Sequence, residues 1–317
     1  MQKELDMKDK TIDIKEALNE RDGFQVWWRL LRPHTLTASF IPVFVGTMYA
    51  LVTDDTFHLG LFIAMMLASI LIQAATNMFN EYYDYVLGLD TEDSVGIGGT
   101  IVRDGIKPKT VLNLALIFFG IAILFGIYIS AMTSWWIAAI GAVSMLIGYL
   151  YTGGPIPIAY TPFGEITAGF LMGTVMIGIS YYIQTAYVSK AIIFISIPIA
   201  IFIGAILLSN NIRDLDNDKL SGRKTIAILI GRKNAIIFLA LLFSLAYMLT
   251  IVFVVKKTLP FWSLLTLVSG IKAAEVIAKF RGKTEPLQMM PGMVATGQTN
   301  TVYGFLLGIS LLLSKFI

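Results

Sequence analysis

The chain of 317 residues contains no cysteine, and only 14% of its residues are charged. The first absence excludes disulfides, thiolate metal centres and cysteine nucleophiles. The second excludes an ordinary water-soluble fold, in which about a quarter of residues carry charge. A net charge of +3 gives no basic field suited to nucleic acid. The opening residues also do not read as a secretory signal. Met1 to Asp22 is dense in charge of both signs and reads as a solvated tail, with the rest of the chain, 23–317, as one domain.

What is present is apolar: 56% of residues are hydrophobic. Gly23 to Pro33 sets Phe24, Trp27, Trp28, Leu30 and Leu31 near one helical face with Arg29 and Arg32 beside it, the pattern of an interfacial helix. Nine spans follow, each near the roughly 20 residues that cross a hydrocarbon core. They are Thr35–Val52, His58–Phe79, Val111–Ala131, Ser134–Tyr151, Glu165–Ala186, Ala191–Ser209, Asn234–Val255, Leu259–Ala278 and Thr301–Phe316. The expected fold is therefore an all-α polytopic membrane protein.

Basic residues set the orientation. With the tail cytoplasmic, nineteen Lys and Arg fall on the inner side against four outside, Lys190, Lys256, Lys257 and Lys315. An odd number of spans then leaves the C-terminus external. Two long acidic loops, Asn80 to Thr110 and Asn210 to Lys233, fall on the cytoplasmic face, each after the second member of a group of four spans. That arrangement predicts two four-helix halves plus a ninth helix.

The first loop carries Asn80, Glu81, Asp84, Asp90, Glu92 and Asp93, and the second Asn211, Arg213, Asp214, Asp216 and Asp218. Asn80 and Asp84, like Asp214 and Asp218, are four residues apart and share a face wherever the helix runs through them. Carboxylates at the end of a membrane helix face a partner or a polar cavity, since lipid is costly for them. Two such clusters suit Mg²⁺, which takes oxygen ligands from one or two carboxylates and completes its shell with substrate phosphate. Arg103, Lys107, Arg213, Arg223 and Lys224 supply cations for the remaining phosphate charge. Together they describe a diphosphate site at the membrane surface.

These residues resemble those of the UbiA-type intramembrane prenyltransferases. The run from Asn80 through Asp84 to Asp90 and the Asp214-to-Asp218 run are similar to that family's two aspartate-rich motifs. The segments RPHTLTA, NEYYDYVLGLD, GIGGTIVRDG, YLYTGGPIPIAYTPFGE and NNIRDLDNDKLSGRKTIA further resemble the branch acting on 1,4-dihydroxy-2-naphthoate in menaquinone synthesis. Glu81 departs from the family pattern, which usually has Asp at that position.

The resemblance implies about nine helices around a central cavity open to lipid and capped by the two cytoplasmic motifs. It implies a polyprenyl diphosphate held through Mg²⁺ by Asp84, Asp90, Asp214 and Asp218, with Asn80 and Asn211 in support, and an aromatic acceptor. The allylic cation formed when diphosphate leaves needs a dry, electron-rich enclosure. Tyr149 and Tyr151 are candidates for it, and their spacing lets only one face the cavity. Arg32 is a candidate for the acceptor carboxylate or the diphosphate, while His34 reads as structural. The rival class is a secondary transporter, whose charges would sit near the midplane. A prenyltransferase for another acceptor, such as 4-hydroxybenzoate, is the alternative within the family.

Overall fold

The computed structural model describes residues 22–90, 99–155 and 157–316, and every regular element among them is helical. All but the last residue of the expected tail, with Glu92 and Asp93, lies outside these residues. A short helix, α1 (Phe24–Leu30), buries Val26 and Leu30 and leaves Phe24, Trp27 and Trp28 exposed, as an interfacial helix should. Arg32, with φ at 50°, turns the chain into α2 (Pro33–Thr53), and Pro33 suits the first helical position because it has no N–H to satisfy.

The long helices follow in order: α3 (Leu59–Val86), α4 (Pro108–Met132), α5 (Trp135–Thr152), α6 (Gly164–Thr185) and α7 (Lys190–Arg213). Two short helices, α8 (Leu215–Leu220) and α9 (Ile226–Ile230), precede α10 (Arg232–Val255), α11 (Phe261–Phe280) and α12 (Pro286–Phe316). Among the described residues eight helices, α2 to α7 with α10 and α11, are long and apolar enough to cross a bilayer. The ninth expected span, Thr301–Phe316, is the C-terminal half of α12, which begins earlier, at Pro286. The second and sixth spans also run on past their expected ends, to Val86 and Arg213, and so carry the aspartate motifs down as helix.

The apolar core is shared by α2, α6, α7, α10, α11 and α12, with α12 packed against α2, α7 and α11. Small residues allow the close approach that membrane helices rely on. Gly304 and Gly308 of α12 lie against Ile41 and Phe44 of α2, and Gly169 and Gly173 of α6 lie against Ala200 of α7. Around the glycines of α6 the helix widens to a π-turn over Gly169–Val175, a rare form that is frequent at functional sites.

Helices α3, α4 and α5 form the other side. Leu124, Ile127, Val143 and Leu146 are exposed there, which suits lipid and would not suit water. A cavity of about 680 Å³ lies between α2 and α7, lined almost wholly by apolar groups from α2 through α7. Helices α5 and α6 bound it without packing along each other, so that side of the cavity faces lipid.

Candidate active site

Because α3 continues to Val86, Asn77, Asn80, Glu81 and Asp84 share one helical face. The helix then ends in a reversal. Gly88 takes φ 70°, and the N–H groups of Leu89 and Asp90 both return to the Asp84 carbonyl at 2.8 and 3.1 Å. The six-residue spacing from Asp84 to Asp90 is thereby explained: it folds Asp90 back over the helix end that presents Asp84.

The second motif ends in the same way. Helix α7 stops at Arg213, α8 begins after Asp214, and the Asp218 N–H reaches the Asp214 carbonyl at 2.9 Å. Four residues past Asp218, Gly222 takes φ 79°, and the Arg223 N–H returns to the Asp218 carbonyl at 3.0 Å. Each motif is thus an aspartate, a left-handed glycine four residues on, and a backbone return that brings a charged side chain over the aspartate.

Arg223 joins the two motifs, donating to Asp84 and Asp218 at 3.0 Å each, with its guanidinium 5.2 Å over the Tyr160 ring. The Lys224 N–H meets the Tyr160 carbonyl at 2.9 Å, so the connection between α5 and α6 closes over the same point. Arg213 is only 6% exposed and pairs with Asp214 through two nitrogens at 2.7 and 2.5 Å, its third nitrogen lying against the sulfurs of Met290 and Met293.

Even so, the carboxylates remain under-compensated. Burial, then the charge of Asp84, pushes the Asp90 carboxyl up to about 6. Burial pushes Asp218 up to about 7, with Asp214 and Asp84 adding to it and Arg223 opposing. Arg223 itself is held above the usual guanidinium range, burial being outweighed by Asp218 and Asp84. This surplus of buried negative charge, offered entirely by hard oxygen donors, fits a divalent cation such as Mg²⁺. Among the described residues no three acidic or histidine side chains converge to hold an ion alone. One or two carboxylates with the remaining positions filled by phosphate is the arrangement Mg²⁺ takes.

The other expected residues divide. Arg32, Asn80 and Tyr151 line the polar end of the cavity, and Asn80 accepts from the Thr152 hydroxyl at 2.8 Å. Tyr149 turns away, sharing a 2.8 Å hydroxyl contact with Tyr83, so of the two tyrosines Tyr151 faces the cavity. Asn211 donates to Glu165 at 2.9 Å and is thereby drawn toward α6. Arg103 is buried with its guanidinium folded over Gly99, while Lys107 and Lys224 are exposed.

Glu81 is a scaffold for the first loop. It is 1% exposed, and its Oε1 accepts from the Thr100 N–H and hydroxyl and from the Ile101 N–H at 2.5, 2.6 and 3.3 Å. Arg32 lies 3.6 Å from its other oxygen. The longer arm of Glu relative to Asp is what reaches Thr100 from α3. The backbone carbonyl of His34 packs under Gly297 of α12. Two residues that sequence reasoning passed over also stand out, Glu165, which is buried against Asn211, and Asn210, which lines the cavity. The only advance sign of Glu165 was a carboxylate at the start of a membrane span.

The comparisons with known proteins bear on this geometry. The UbiA prenyltransferase family matches residues 39–289. The chain is 53% identical over 292 residues to 1,4-dihydroxy-2-naphthoate octaprenyltransferase of Bacillus subtilis, covering 92% of this chain and 94% of that one. It is 28% identical to a UbiA prenyltransferase domain-containing protein 1 homolog of Drosophila melanogaster, covering 87% of this chain and 76% of that one. In fold it is similar to a UbiA homolog from Aeropyrum pernix, with TM-score 0.66 at 16% identity, covering 90% and 98% of the two chains. A UbiA homolog from Archaeoglobus fulgidus, solved bound to GPP and Mg²⁺, gives TM-score 0.61 at 17% identity, covering 88% and 98%. Together with the paired aspartate turns at the mouth of an apolar cavity, these matches establish that the chain belongs to the UbiA prenyltransferase family.

Proposed function

We propose that the protein transfers a polyprenyl chain from polyprenyl diphosphate to 1,4-dihydroxy-2-naphthoate in the membrane, with loss of diphosphate and CO₂, giving demethylmenaquinol. The observation that carries this reading is the junction of both aspartate turns on Arg223 beside a lipid-facing apolar cavity. The naphthoate acceptor is supported by the 53% identical relative and the prenyl diphosphate with Mg²⁺ by the Archaeoglobus homolog. A transporter would carry its charges among the spans, whereas here they gather at helix ends.

Asp84, Asp90, Asp214 and Asp218 are the residues that would hold Mg²⁺, with Asn80 beside them. The ion, when bound, supplies stabilisation of the charge that develops on the departing diphosphate. The apolar cavity takes the isoprenoid tail and excludes water from the allylic cation. Tyr151 presents an electron-rich ring toward that cation. Arg32 meets the acceptor carboxylate, and exposed Lys224 is free to bend onto the diphosphate.

The protein lies in the cell membrane with its N-terminus cytoplasmic and C-terminus external, supported by the nineteen-to-four distribution of basic residues. Product mass from purified protein given polyprenyl diphosphate and a mixture of 1,4-dihydroxy-2-naphthoate and 4-hydroxybenzoate tests the acceptor. Prenylated, decarboxylated naphthalene-diol is expected; prenylation of 4-hydroxybenzoate alone, or of neither, would overturn it.

A further inference from the structure

A polar thread runs from the mouth of the cavity into its apolar body along one face of α3, through Asn80, Asn77, Gln73 and Ser69. Gln73 lies eleven residues before Asp84, about 16 Å along the helix and on the membrane side of the motif. Other polar groups of this stretch are already committed. The Ser69 and Thr76 hydroxyls donate to the Met66 and Ile72 carbonyls of their own helix at 3.0 and 2.9 Å, and Asn80 accepts from Thr152.

Hydrogen bonds fix which way the two amides between them point. Asn77 is 4% exposed and meets the Leu31 carbonyl at 2.9 Å, and a carbonyl can only accept. The Asn77 nitrogen therefore faces Leu31, and it also donates at 2.9 Å to Thr35 Oγ1, whose own proton goes to the Arg32 carbonyl. That leaves the Asn77 oxygen facing Gln73. Gln73 accordingly turns its nitrogen to Asn77, at 3.2 Å, and to Thr35 Oγ1, at 3.5 Å. Its Oε1 is thereby held out as an acceptor, taking no bond from the described residues and staying reachable from the cavity that Gln73 lines. The tie to Asn77 uses only the nitrogen end of the amide.

An uncommitted acceptor in an apolar cavity needs a donor. Neither the hydrocarbon tail nor the ionised diphosphate of a prenyl diphosphate has one, whereas a hydroxylated aromatic ring does. We propose that Gln73 is a specificity residue of the acceptor site, its Oε1 accepting from the 4-hydroxyl of 1,4-dihydroxy-2-naphthoate. The role rests on the prenyl-transfer reading above and deepens it. The 1-hydroxyl is adjacent to the carboxylate and donates to it within the molecule, so the 4-hydroxyl is the one with a proton to offer. With Arg32 on the carboxylate, both polar sides of the ring are read by one connected set of residues, since Thr35 links the Arg32 backbone to Asn77 and Gln73. A naphthoate without the 4-hydroxyl leaves the Gln73 oxygen unpaired and is bound less tightly.

The test measures equilibrium binding of 1,4-dihydroxy-2-naphthoate and of 1-hydroxy-2-naphthoate, which lacks only the 4-hydroxyl, to lipid-reconstituted wild type and Q73M, beside prenyl-transfer kinetics. Methionine keeps about the length and bulk of glutamine and offers only a weak acceptor. Wild type should bind the dihydroxy compound about ten- to a hundredfold more tightly than the monohydroxy one. Q73M should bind the two within about threefold of each other, with its KM for prenyl diphosphate changed by no more than about threefold. Q73A is read in the same way should Q73M not fold, and the wild-type comparison stands without either variant. Wild type that neither binds nor prenylates the naphthoate overturns the functional reading and this role with it. Wild type that prenylates it but binds both compounds equally overturns this role alone. So does a variant that keeps the wild-type preference while both affinities fall together, which would make Gln73 a structural tie to Asn77.

Discussion

Arg223 stands between Asp84 and Asp218, donating a separate guanidinium nitrogen to each at 3.0 Å, and so couples two motifs that lie 134 residues apart in the chain. Its side chain is 15% exposed, and those of the two aspartates 19% and 10%. Removing a cation from a largely buried pair leaves uncompensated charge, at a cost of about 3 kcal/mol. The Arg223→Ala protein should therefore show a clearly lower thermal midpoint without metal, part of which excess Mg²⁺ restores. Equal midpoints for variant and wild type would mean that the bridge contributes nothing.

Lys224 provides a contrast. Only its backbone is fixed, to Tyr160, and its ammonium is exposed. A charge-assisted contact to phosphate is worth about 1.5 to 3 kcal/mol, so Lys224→Ala should lower kcat/KM for the prenyl diphosphate about ten- to a hundredfold and keep its metal requirement. Wild-type kinetics in this variant would make Lys224 a topology anchor only.

Glu81 should behave as a scaffold. Shortening it by one methylene in Glu81→Asp withdraws the oxygen that accepts from Thr100 and Ile101. Those buried N–H groups would lose their partner, at about 1 to 3 kcal/mol. Faster proteolysis within residues 99–103, with the Mg²⁺ dependence of transfer unchanged, is the expected outcome. Protection equal to wild type would contradict it.

The pH dependence of the metal-free protein follows from Asp90 and Asp218, raised to about 6 and about 7 against about 4 in an unfolded chain. Between pH 4 and 7 the folded state then binds more protons than the unfolded state, so stability falls as pH rises through that window. The thermal midpoint without metal should be higher at pH 5.5 than at pH 8, and D218N should flatten the difference. A midpoint that rises with pH would show the carboxylates to be fully compensated.

Much of this was legible in the sequence because apolar length and the basic-residue distribution report directly on the bilayer. The spans from Thr35 to Val255 match helices to within a few residues except where a polar helix end hides in what reads as a loop. Asn80 to Val86 and Asn210 to Arg213 are such ends, helical because their polar faces meet partners and a cavity and not lipid. The start of α12 was hidden similarly by Pro291 and by Thr296, Thr299 and Asn300, which are buried against protein. The aspartates could be picked out by spacing, but their pairing through Arg223 could not, since it depends on two glycine reversals and on contacts across the bundle. Glu165 reads in the sequence only as the edge of a span, because its burial and its contact with Asn211 depend on how α6 packs against α7.

The central claim is that the two aspartate turns hold a divalent metal that activates the prenyl diphosphate. Pyrophosphate release coupled to prenylation of 1,4-dihydroxy-2-naphthoate, measured in lipid for wild type, D84A and D218A with Mg²⁺ and with excess chelator, tests it most directly. Wild type should turn over with Mg²⁺ and stop in chelator, while both variants, still folded, should lose at least about a thousandfold in rate at every Mg²⁺ concentration. Full wild-type transfer in chelator, or unchanged turnover in both variants, would contradict the account.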